Sequence, residues 1–381
     1  MNLKKMFKMF GLVAAFTSLS MVALAETRYS DVTKLAKYLY EITYVDYDYE
    51  EYASLSPVSR ARMDFGCTSV RNGRFYGRNF DFLYNETPEY VIHVQAKDGR
   101  FASVGVAYPF TAKFYEDMGR EEYTALPWST IDGINENGVG INVNICPVRD
   151  LTLHISSGGT HPENTKYPSL NISAVVRYVL DNAKSAKHAI KLLQERNIVN
   201  DVADHEDFSR NGYGLHFMIN DYKDCFIVEW RDDKIYYTKD DRIMTNFFNT
   251  LDEYTPHASG IERYDIMQEY YDMGRSMDGM TELMKKAMYS YAYDSRTNPP
   301  RFSDLGLGYN HKFRLDITNE VVASNAKVRQ YLIDYVTNAR VRRNEPNIWH
   351  TVSTSIYDLQ NLILRLYVQE DYSRCYEFSI R

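Results

Sequence analysis

Apolar and polar positions along the chain follow two different periods, one typical of strands and one typical of helices. Between residues 67 and 145 the period is two, most clearly in Ile141–Ile145, where apolar side chains alternate with Asn142 and Asn144. Such alternation is typical of a strand with one buried face. Both asparagines are therefore predicted on one face, with Val143 and the isoleucines on the other.

The helical period begins after residue 171, and the two patterns then alternate to the end of the chain. Helices are predicted over 171–195, 261–272, 279–288 and 327–340, and strands over 213–219, 225–230, 234–237, 349–357, 362–367 and 372–380. Blocks of strands with hairpin connections, separated by helices, predict antiparallel sheets covered by helices in one domain.

A hairpin signal draws attention to one cysteine. Asn72-Gly73 lies between two strand-like runs, and Asn-Gly is typical of a two-residue turn. Centred on that turn, the register places Cys67 opposite Arg78, with Cβ atoms about 4.5–5.5 Å apart, and turns Asp81 to the other face. A guanidinium beside a thiol favours the reactive thiolate. Cys67 is thus a candidate nucleophile, and a small buried cysteine in an ordinary strand is the alternative.

The first 66 residues differ from the rest. Residues 1–25 combine three lysines, a short apolar run and Ala23-Leu24-Ala25, the pattern of a cleavable secretory signal peptide, with an uncleaved anchor as the alternative. We expect a secreted or periplasmic bacterial protein with no membrane span after signal removal. Residues 26–66 open with a short helical pattern over 32–40, and we interpret them as a propeptide or N-terminal arm before a catalytic domain over 67–381.

Charge and composition exclude several classes of function. The net charge is −7 without a basic stripe, which argues against a nucleic-acid partner. No histidine or cysteine spacing typical of a metal site occurs, so neither a metal nor a cofactor is predicted. One disulfide among Cys146, Cys225 and Cys375 is left open.

Four motifs in order resemble the choloylglycine hydrolase family, which includes bile salt hydrolases and penicillin V acylases. They are G-C-T-S at 66–69 followed by G-R-N-F-D-F at 77–82, G-I-N-E-N-G-V-G-I-N-V-N at 133–144, M-T-N-F-F at 244–248 and S-G-I-E-R-Y at 259–264. The resemblance runs from Gly66 to the C-terminus. It implies an N-terminal nucleophile (Ntn) hydrolase that cleaves linear amide C–N bonds, an α+β fold with a four-layer αββα sandwich, and a homo-oligomer, a tetramer in the family.

The resemblance also implies roles for individual residues. Cys67 would attack the substrate, Arg78 would support the thiolate, Asp81 would hold the α-amine, Asn246 and a backbone N–H near Asn144 would bind the oxyanion, and Arg263 would support the site from behind. Asn142 competes with Asn144, because the strand after Gly140 is one residue shorter than in typical bile salt hydrolases.

An N-terminal nucleophile needs no histidine. An α-amine titrates near pH 7.7–8 and can accept the thiol proton of its own residue. Cys67 must then become the first residue, which requires cleavage of the Gly66–Cys67 bond. Two alternatives remain: a papain-like thiol hydrolase that pairs Cys67 with His216 or His257, and a non-catalytic secreted binding protein on the same fold.

The substrate is the least determined feature. Loops at 83–90, 107–130 and 203–213 are predicted to shape the pocket, and the second is rich in aromatic residues. That suits the apolar acyl group of a small N-acyl amide without choosing between conjugated bile salts, penicillin V and fatty N-acyl amides.

Overall fold

The computed structural model describes residues 28–47, 66–83, 88–109, 123, 126–147, 167–199, 213–231, 234–251, 260–288 and 349–380. In chain order the strands are β1 (Thr33–Ala36), β2 (Leu39–Tyr44), β3 (Gly66–Asn72), β4 (Phe75–Leu83), β5 (Glu89–Val94), β6 (Ser103–Ala107), β7 (Thr130–Asn135), β8 (Gly140–Pro147), β9 (Ser169–Asn171), β10 (Asn197–Val199), β11 (Tyr213–Asn220), β12 (Cys225–Arg231), β13 (Lys234–Lys239), β14 (Ile243–Met244), β15 (Trp349–Asp358), β16 (Ile363–Val368) and β17 (Tyr376–Ser379). The α-helices are α1 (Val175–Asn182), α2 (Ala186–Gln194), α3 (Ile261–Glu269) and α4 (Met277–Lys286). Over these ranges, no helix combines the length and the apolarity needed to cross a bilayer.

The strands form two large sheets. The nine-stranded sheet has the order β1-β2-β5-β6-β7-β8-β11-β12-β13, and the six-stranded sheet has the order β14-β3-β4-β15-β16-β17. Within them β2 and β5 run parallel, and all other described neighbours are antiparallel. Strands β9 and β10 form a separate parallel pair.

The two sheets pack face to face between helices. Strand β3 contacts β8 across the sheet interface, α1 packs on β7 and β8, and α4 packs on β4 and β15. The layer order is therefore helix, sheet, sheet, helix, which confirms the predicted α+β sandwich. The largest apolar cluster of the described residues includes Cys67, Tyr76 and Phe80 and extends to Val179 on α1 and Leu193 on α2.

The turn of the predicted hairpin lies one residue later than expected. Asn72 pairs with Phe75, so the loop is Gly73-Arg74, and Gly73 has a φ of 61°. A glycine at the first loop position is the preference of a type II′ turn, whose twist also suits a hairpin. The expected Asn-Gly turn was therefore wrong by one position.

That change moves the strand pairing by two residues. Cys67 lies opposite Phe80 and not opposite Arg78, which instead faces Ser69. Because side chains alternate with a period of two, an even shift leaves every side chain on its predicted face. Arg78 still shares the face of Cys67, and Asp81 lies on the other face.

Two helical predictions differ from the structure. The stretch expected to be helical over 32–40 forms β1 and β2, because β2 pairs with β5 along its whole length. The helix expected over 171–195 is divided at Ala183, which is extended, and Ser185 caps the second helix through His188 N. The helix predicted over 327–340 lies outside the described residues.

The cysteines form no disulfide. All four thiols are free, with Cys67, Cys146 and Cys225 buried and Cys375 exposed.

Candidate active site

The thiol of Cys67 lies between the two sheets beside a buried guanidinium. Arg78 Nη2 is 3.3 Å from Cys67 Sγ and donates to Val143 O at 2.9 Å. Its Nη1 forms an ion pair with Asp132 at 2.9 Å, and both side chains are fully buried. Arg78 therefore connects the thiol on β3 to two strands of the opposite sheet.

Asp132 is a site residue that the sequence reasoning missed. Besides Arg78 it receives hydrogen bonds from Tyr357 Oη and, at 3.4 Å, from Ser355 Oγ. The signal in the sequence was weak, since β7 reads T-I-D-G-I-N with only two apolar side chains, although all six residues are buried in the structure. A buried acid in such a strand requires a partner, and Arg78 supplies the charge.

The main chain of Cys67, like its thiol, is bound by polar side chains. Cys67 N donates to Asn246 Oδ1 at 3.0 Å. Arg263 Nη1 donates to Cys67 O at 2.6 Å, and its Nη2 donates to Asn246 Oδ1 at 2.7 Å. The nitrogen, the carbonyl oxygen and the sulfur of Cys67 thus each have a polar side-chain partner.

The orientation of the Asn246 amide follows from its neighbours. Two donors, Cys67 N and Arg263, face its oxygen, and the carbonyl of Ile145 accepts from its nitrogen at 2.7 Å. The Nδ2 group is therefore engaged by the main chain and does not point at the thiol. The uncleaved chain therefore does not offer the Asn246 Nδ2 group to an oxyanion at the thiol, and that role stays a prediction.

Asp81 lies on the helix side of β4. Its carboxylate accepts from Arg263 Nη1 at 2.9 Å and from Thr351 Oγ1 at 2.7 Å. A role for Asp81 at the α-amine would require the strand to bend or end at Phe80, but β4 continues to Leu83. Asp81 reaches the main chain of Cys67 through Arg263, and its direct role at the amine stays a prediction.

Asn142 and Asn144 share one face of β8, as the alternation predicted, and both reach β3. Asn142 Nδ2 donates to Ser69 Oγ at 2.6 Å and to Asn144 Oδ1 at 2.9 Å. Asn144 Nδ2 donates to Met244 O and Thr245 O at 3.3 and 3.2 Å. Asn144 therefore fixes the chain just before Asn246, whereas Asn142 lies against Ser69, two residues from Cys67.

Burial decides the ionisation of these groups. Burial raises the pKa of the Cys67 thiol to about 12, although Arg78 acts in the opposite direction. The expected thiolate is therefore absent from the uncleaved chain near neutral pH, because the loss of hydration outweighs one neighbouring charge. Burial also raises the pKa of Asp81 to about 6, against the effect of Arg263.

His216 is engaged away from Cys67. Its Nδ1 lies 3.2 Å from Cys146 Sγ and 3.4 Å from Glu229 Oε1, and its Nε2 lies 2.9 Å from Thr245 O. A catalytic cysteine–histidine pair needs one ring nitrogen beside the nucleophilic thiol, whereas here Cys146 and Glu229 lie at Nδ1 and Thr245 O lies at Nε2. This arrangement does not support the papain-like alternative with His216, and His257 lies outside the described residues.

The same cluster is the place where a metal ion would find ligands. Among the described residues, Cys146, His216 and Glu229 offer ligand atoms within 4.8 Å of one another. Glu229 is already bonded to the backbone nitrogens of Asn249 and Thr250. These hydrogen bonds explain why the three side chains lie together. We therefore assign the cluster a structural role, since His216 contacts Thr245 O, one residue before Asn246.

Aromatic rings surround the strand opposite Cys67. Phe80 and Tyr108 have ring centroids 4.8 Å apart, and Phe82 stacks on Phe80 at 6.0 Å. Tyr108 is fully buried and belongs to the predicted pocket loop over 107–130, most of which lies outside the described residues. The described part of the site is therefore apolar on this side of the thiol.

Comparisons with known proteins show which family model and which relatives this chain resembles. The family model of the linear amide C-N hydrolases of the choloylglycine hydrolase family matches residues 67–284. A penicillin V acylase from Pectobacterium atrosepticum is 33% identical over 121 residues, which cover 31% of this chain and 30% of that protein. The match thus spans less than a third of the curated relative.

Solved structures of similar proteins extend over more of the chain. A cysteine-to-alanine mutant of the conjugated bile acid hydrolase from Clostridium perfringens is 14% identical, with 83% of this chain and 92% of that chain covered and a TM-score of 0.43. The penicillin V acylase from Agrobacterium tumefaciens is 17% identical, with 82% and 86% covered and a TM-score of 0.40.

Proposed function

Because the chain belongs to the choloylglycine hydrolase family of linear amide C–N hydrolases, we propose that it hydrolyses small N-acyl amides through an acyl-enzyme on Cys67. The observation that carries the proposal is that side chains bind both backbone polar atoms of Cys67. Asn246 binds its nitrogen and Arg263 binds its carbonyl oxygen. An enzyme that uses only a cysteine side chain has no need of these contacts, whereas an N-terminal nucleophile must also position its own amine.

The first step is maturation of the chain. The thiol of Cys67 attacks the carbonyl carbon of Gly66, and the Gly66–Cys67 amide bond is replaced by a thioester with release of the Cys67 amine. Water then hydrolyses the thioester, which leaves a carboxylate on Gly66 and a free thiol on Cys67. Before this step Cys67 has an amide nitrogen, which is no base, and a buried thiol whose pKa is about 12. Since the uncleaved chain lacks the α-amine that accepts the thiol proton in each turnover, we expect it to be inactive toward substrate.

Catalysis follows from the free amine. The α-amine accepts the thiol proton, the sulfur attacks the acyl carbon of the substrate, and the resulting ammonium protonates the departing amine. Water hydrolyses the thioester, with the α-amine as its base. Arg78 stabilises negative charge on the sulfur at 3.3 Å, while Asn246 and Arg263 hold the nitrogen and the carbonyl oxygen of Cys67.

The acyl group is the part of the substrate that the described site favours. Phe80, which pairs with Cys67, packs with Phe82 and Tyr108 in a buried aromatic cluster, and an acyl group bound against this cluster would be apolar, such as a sterol, phenoxy or fatty acyl chain. We propose conjugated bile salts, penicillin V or fatty N-acyl amides as substrates. We also propose that residues 1–25 direct export and that the mature enzyme is a homo-oligomer, a tetramer as in the family.

The test determines the N-terminal residue of the mature enzyme and measures its activity. N-terminal sequencing of the purified enzyme should read Cys-Thr-Ser-Val, and the Cys67→Ala variant should remain uncut and inactive. A panel of the three substrate classes, with detection of the released amine, identifies the substrate. A fully active chain with Cys67 still internal would favour a papain-like enzyme, and a cleaved or uncleaved chain without activity on the panel would favour a binding protein.

A further inference from the structure

The segment upstream of the proposed cleavage site is part of the nine-stranded sheet, which packs against the sheet that contains Cys67. Strand β2 pairs with β5 from Leu39 opposite Glu89 to Tyr44 opposite Val94. Backbone hydrogen bonds continue the pairing at both ends, from Glu89 N to Tyr38 O at 2.8 Å and from Gln95 N to Tyr44 O at 2.9 Å. The segment contributes two strands, β1 and β2, at one edge of the nine-stranded sheet.

Side chains of this segment are buried in the core of the rest of the chain. Leu39, Ile42, Tyr44 and Tyr47 are at most 7% exposed and belong to the main apolar cluster. Burial of apolar surface contributes about 25 cal/mol of free energy per Å². These four side chains therefore favour the association of this segment with the rest of the chain. Their removal would leave a cavity in the sheet edge.

Specific polar contacts also join residues 28–47 to the part of the chain that follows Cys67. Tyr47 Oη donates to the Asp181 carboxylate, with distances of 2.6 and 2.7 Å to its two oxygens. Asp46 forms ion pairs with Lys97 at 2.7 Å and Arg100 at 2.9 Å, and the Arg100 guanidinium lies 4.0 Å from the Tyr47 ring centroid. Each contact joins a residue before Cys67 to a residue after it.

The edge that β2 covers lies close to the site. Glu89, at the start of β5, is fully buried and accepts from Ser353 Oγ at 2.5 Å. Ser353 pairs with Phe80, which in turn lies opposite Cys67. Loss of β2 would leave the backbone of β5 unpaired. Glu89 on β5 is connected through Ser353 to Phe80, the residue that lies opposite Cys67.

From these contacts we infer that residues 28–47 remain bound after cleavage, so that the mature enzyme consists of two chains held together without a covalent bond. The inference rests on the proposed cleavage before Cys67 and revises the interpretation of residues 26–66 as a propeptide that is lost. No cysteine occurs over 26–66, so no disulfide can join the two chains. The partner that this sheet edge recognises is the N-terminal fragment of the same chain.

The experiment uses the full chain with a C-terminal affinity tag, purified under native conditions after self-cleavage. Native mass spectrometry should give the summed mass of both fragments, multiplied by the number of copies in the oligomer, and denaturing mass spectrometry should give the fragments separately in a 1:1 ratio. A cleaved sample whose native mass equals that of residues 67–381 alone, or a multiple of it, would overturn the inference.

A second form of the full chain keeps this test independent of self-cleavage. A specific protease sequence replaces residues 54–60, which lie outside the described ranges, and the purified chain is cut there. If the chain never cleaves itself before Cys67, the proposed function fails, while retention is still measured after the protease cut. If the fragment is lost after that cut, the inference fails on its own.

A pair of variants identifies the contact. Tyr47→Phe keeps the ring and removes the hydroxyl, and it should release the fragment about 10- to 100-fold faster, because a buried hydrogen bond to a charged group is lost. The control is Val45→Ser, whose side chain is 41% exposed and which should leave the release rate unchanged. Equal rates for the two variants would remove the Tyr47–Asp181 contact from the interface.

Discussion

At the scale of single residues, the site is built from two buried ion pairs on opposite faces of β4. Arg78 pairs with Asp132 between the sheets, and Arg263 pairs with Asp81 on the helix side. Each arginine also donates to Cys67, one to the sulfur and one to the carbonyl oxygen. Because a buried charge without its partner is costly, each acid determines the position of an arginine that contacts Cys67.

Asp132→Asn tests the first pair. The substitution leaves the fully buried Arg78 without its counter-charge, so the free energy of unfolding should fall by about 3–5 kcal/mol, as measured by urea denaturation. Arg74→Gln is the control, because it breaks an ion pair to Asp358 in which Arg74 is 40% exposed and should cost less than about 1 kcal/mol. Similar costs for both variants would contradict the importance given to Asp132.

Two substitutions at Asn246 distinguish a positioning role from an oxyanion role. Asn246→Ala removes both, and kcat should fall about 10²–10³-fold. Asn246→Asp keeps an oxygen that can accept from Cys67 N and Arg263 but loses the Nδ2 donor. Positioning of the amine predicts that Asp retains clearly more activity than Ala.

The contrary result is equally informative. Equal losses of kcat for the two Asn246 variants would favour the oxyanion role. Asn142→Ala and Asn144→Ala, compared in the same assay, then show whether an amide on β8 contributes to that role.

At the scale of elements, the hairpin of β7 and β8 brings Asp132 and the two asparagines to the site. Its turn depends on Gly138, which has a φ of 72° and whose hypothetical Cβ would lie 2.4 Å from Leu359 O. Both the backbone conformation and the close approach of the β15–β16 connection require glycine here. The turn thereby also ties β8 to the opposite sheet.

Gly138→Ala should be more destabilising than Gly99→Ala. Gly99 has a φ of 84°, but a Cβ there meets nothing within 4 Å, so its cost is the left-handed conformation alone, roughly 1–2 kcal/mol. Gly138→Ala adds a clash with backbone and should lower the melting temperature further, as measured by circular dichroism. Equal melting temperatures for the two variants would show that the turn relaxes away from Leu359.

At the scale of the whole molecule, the interface between the sheets buries acids as well as apolar side chains. Burial raises the pKa of Glu89 to about 8 and that of Asp81 to about 6. An acid whose pKa is higher in the folded state contributes stability at low pH, and this stability is lost as the pH rises through the folded pKa. Asp81 therefore weakens the fold as the pH rises from 3.8 to about 6, and Glu89 weakens it as the pH rises from 4.5 to about 8.

Glu89→Gln should remove one part of this pH dependence. Relative to wild type, the variant should gain stability as the pH rises from about 5 to 9, by a few kcal/mol at about 1.4 kcal/mol per pKa unit, with no such gain near pH 4. Denaturation at several pH values measures the difference, and the exposed Glu136→Gln serves as control. A stability difference independent of pH would show that Glu89 is ionised throughout.

The sequence alone determined the layered fold, the nucleophile candidate and the sides of the strands. The two-residue period survives an even error in register, which is why Arg78 and Asp81 were placed on the correct faces although Cys67 pairs with Phe80. The motifs around Cys67, Asn246 and Arg263 indicated residues that the structure brings into direct contact.

Only the tertiary structure decided which atoms meet and which groups ionise. The pairing of Arg78 with Asp132 joins residues 54 positions apart in the chain, and no local pattern encodes it. The raised pKa of Cys67 depends on complete burial between the sheets, which outweighs the charge that the sequence suggested. The strands of residues 28–47 likewise form through pairing with β5, because a short isolated segment cannot bury enough surface to fix its own conformation.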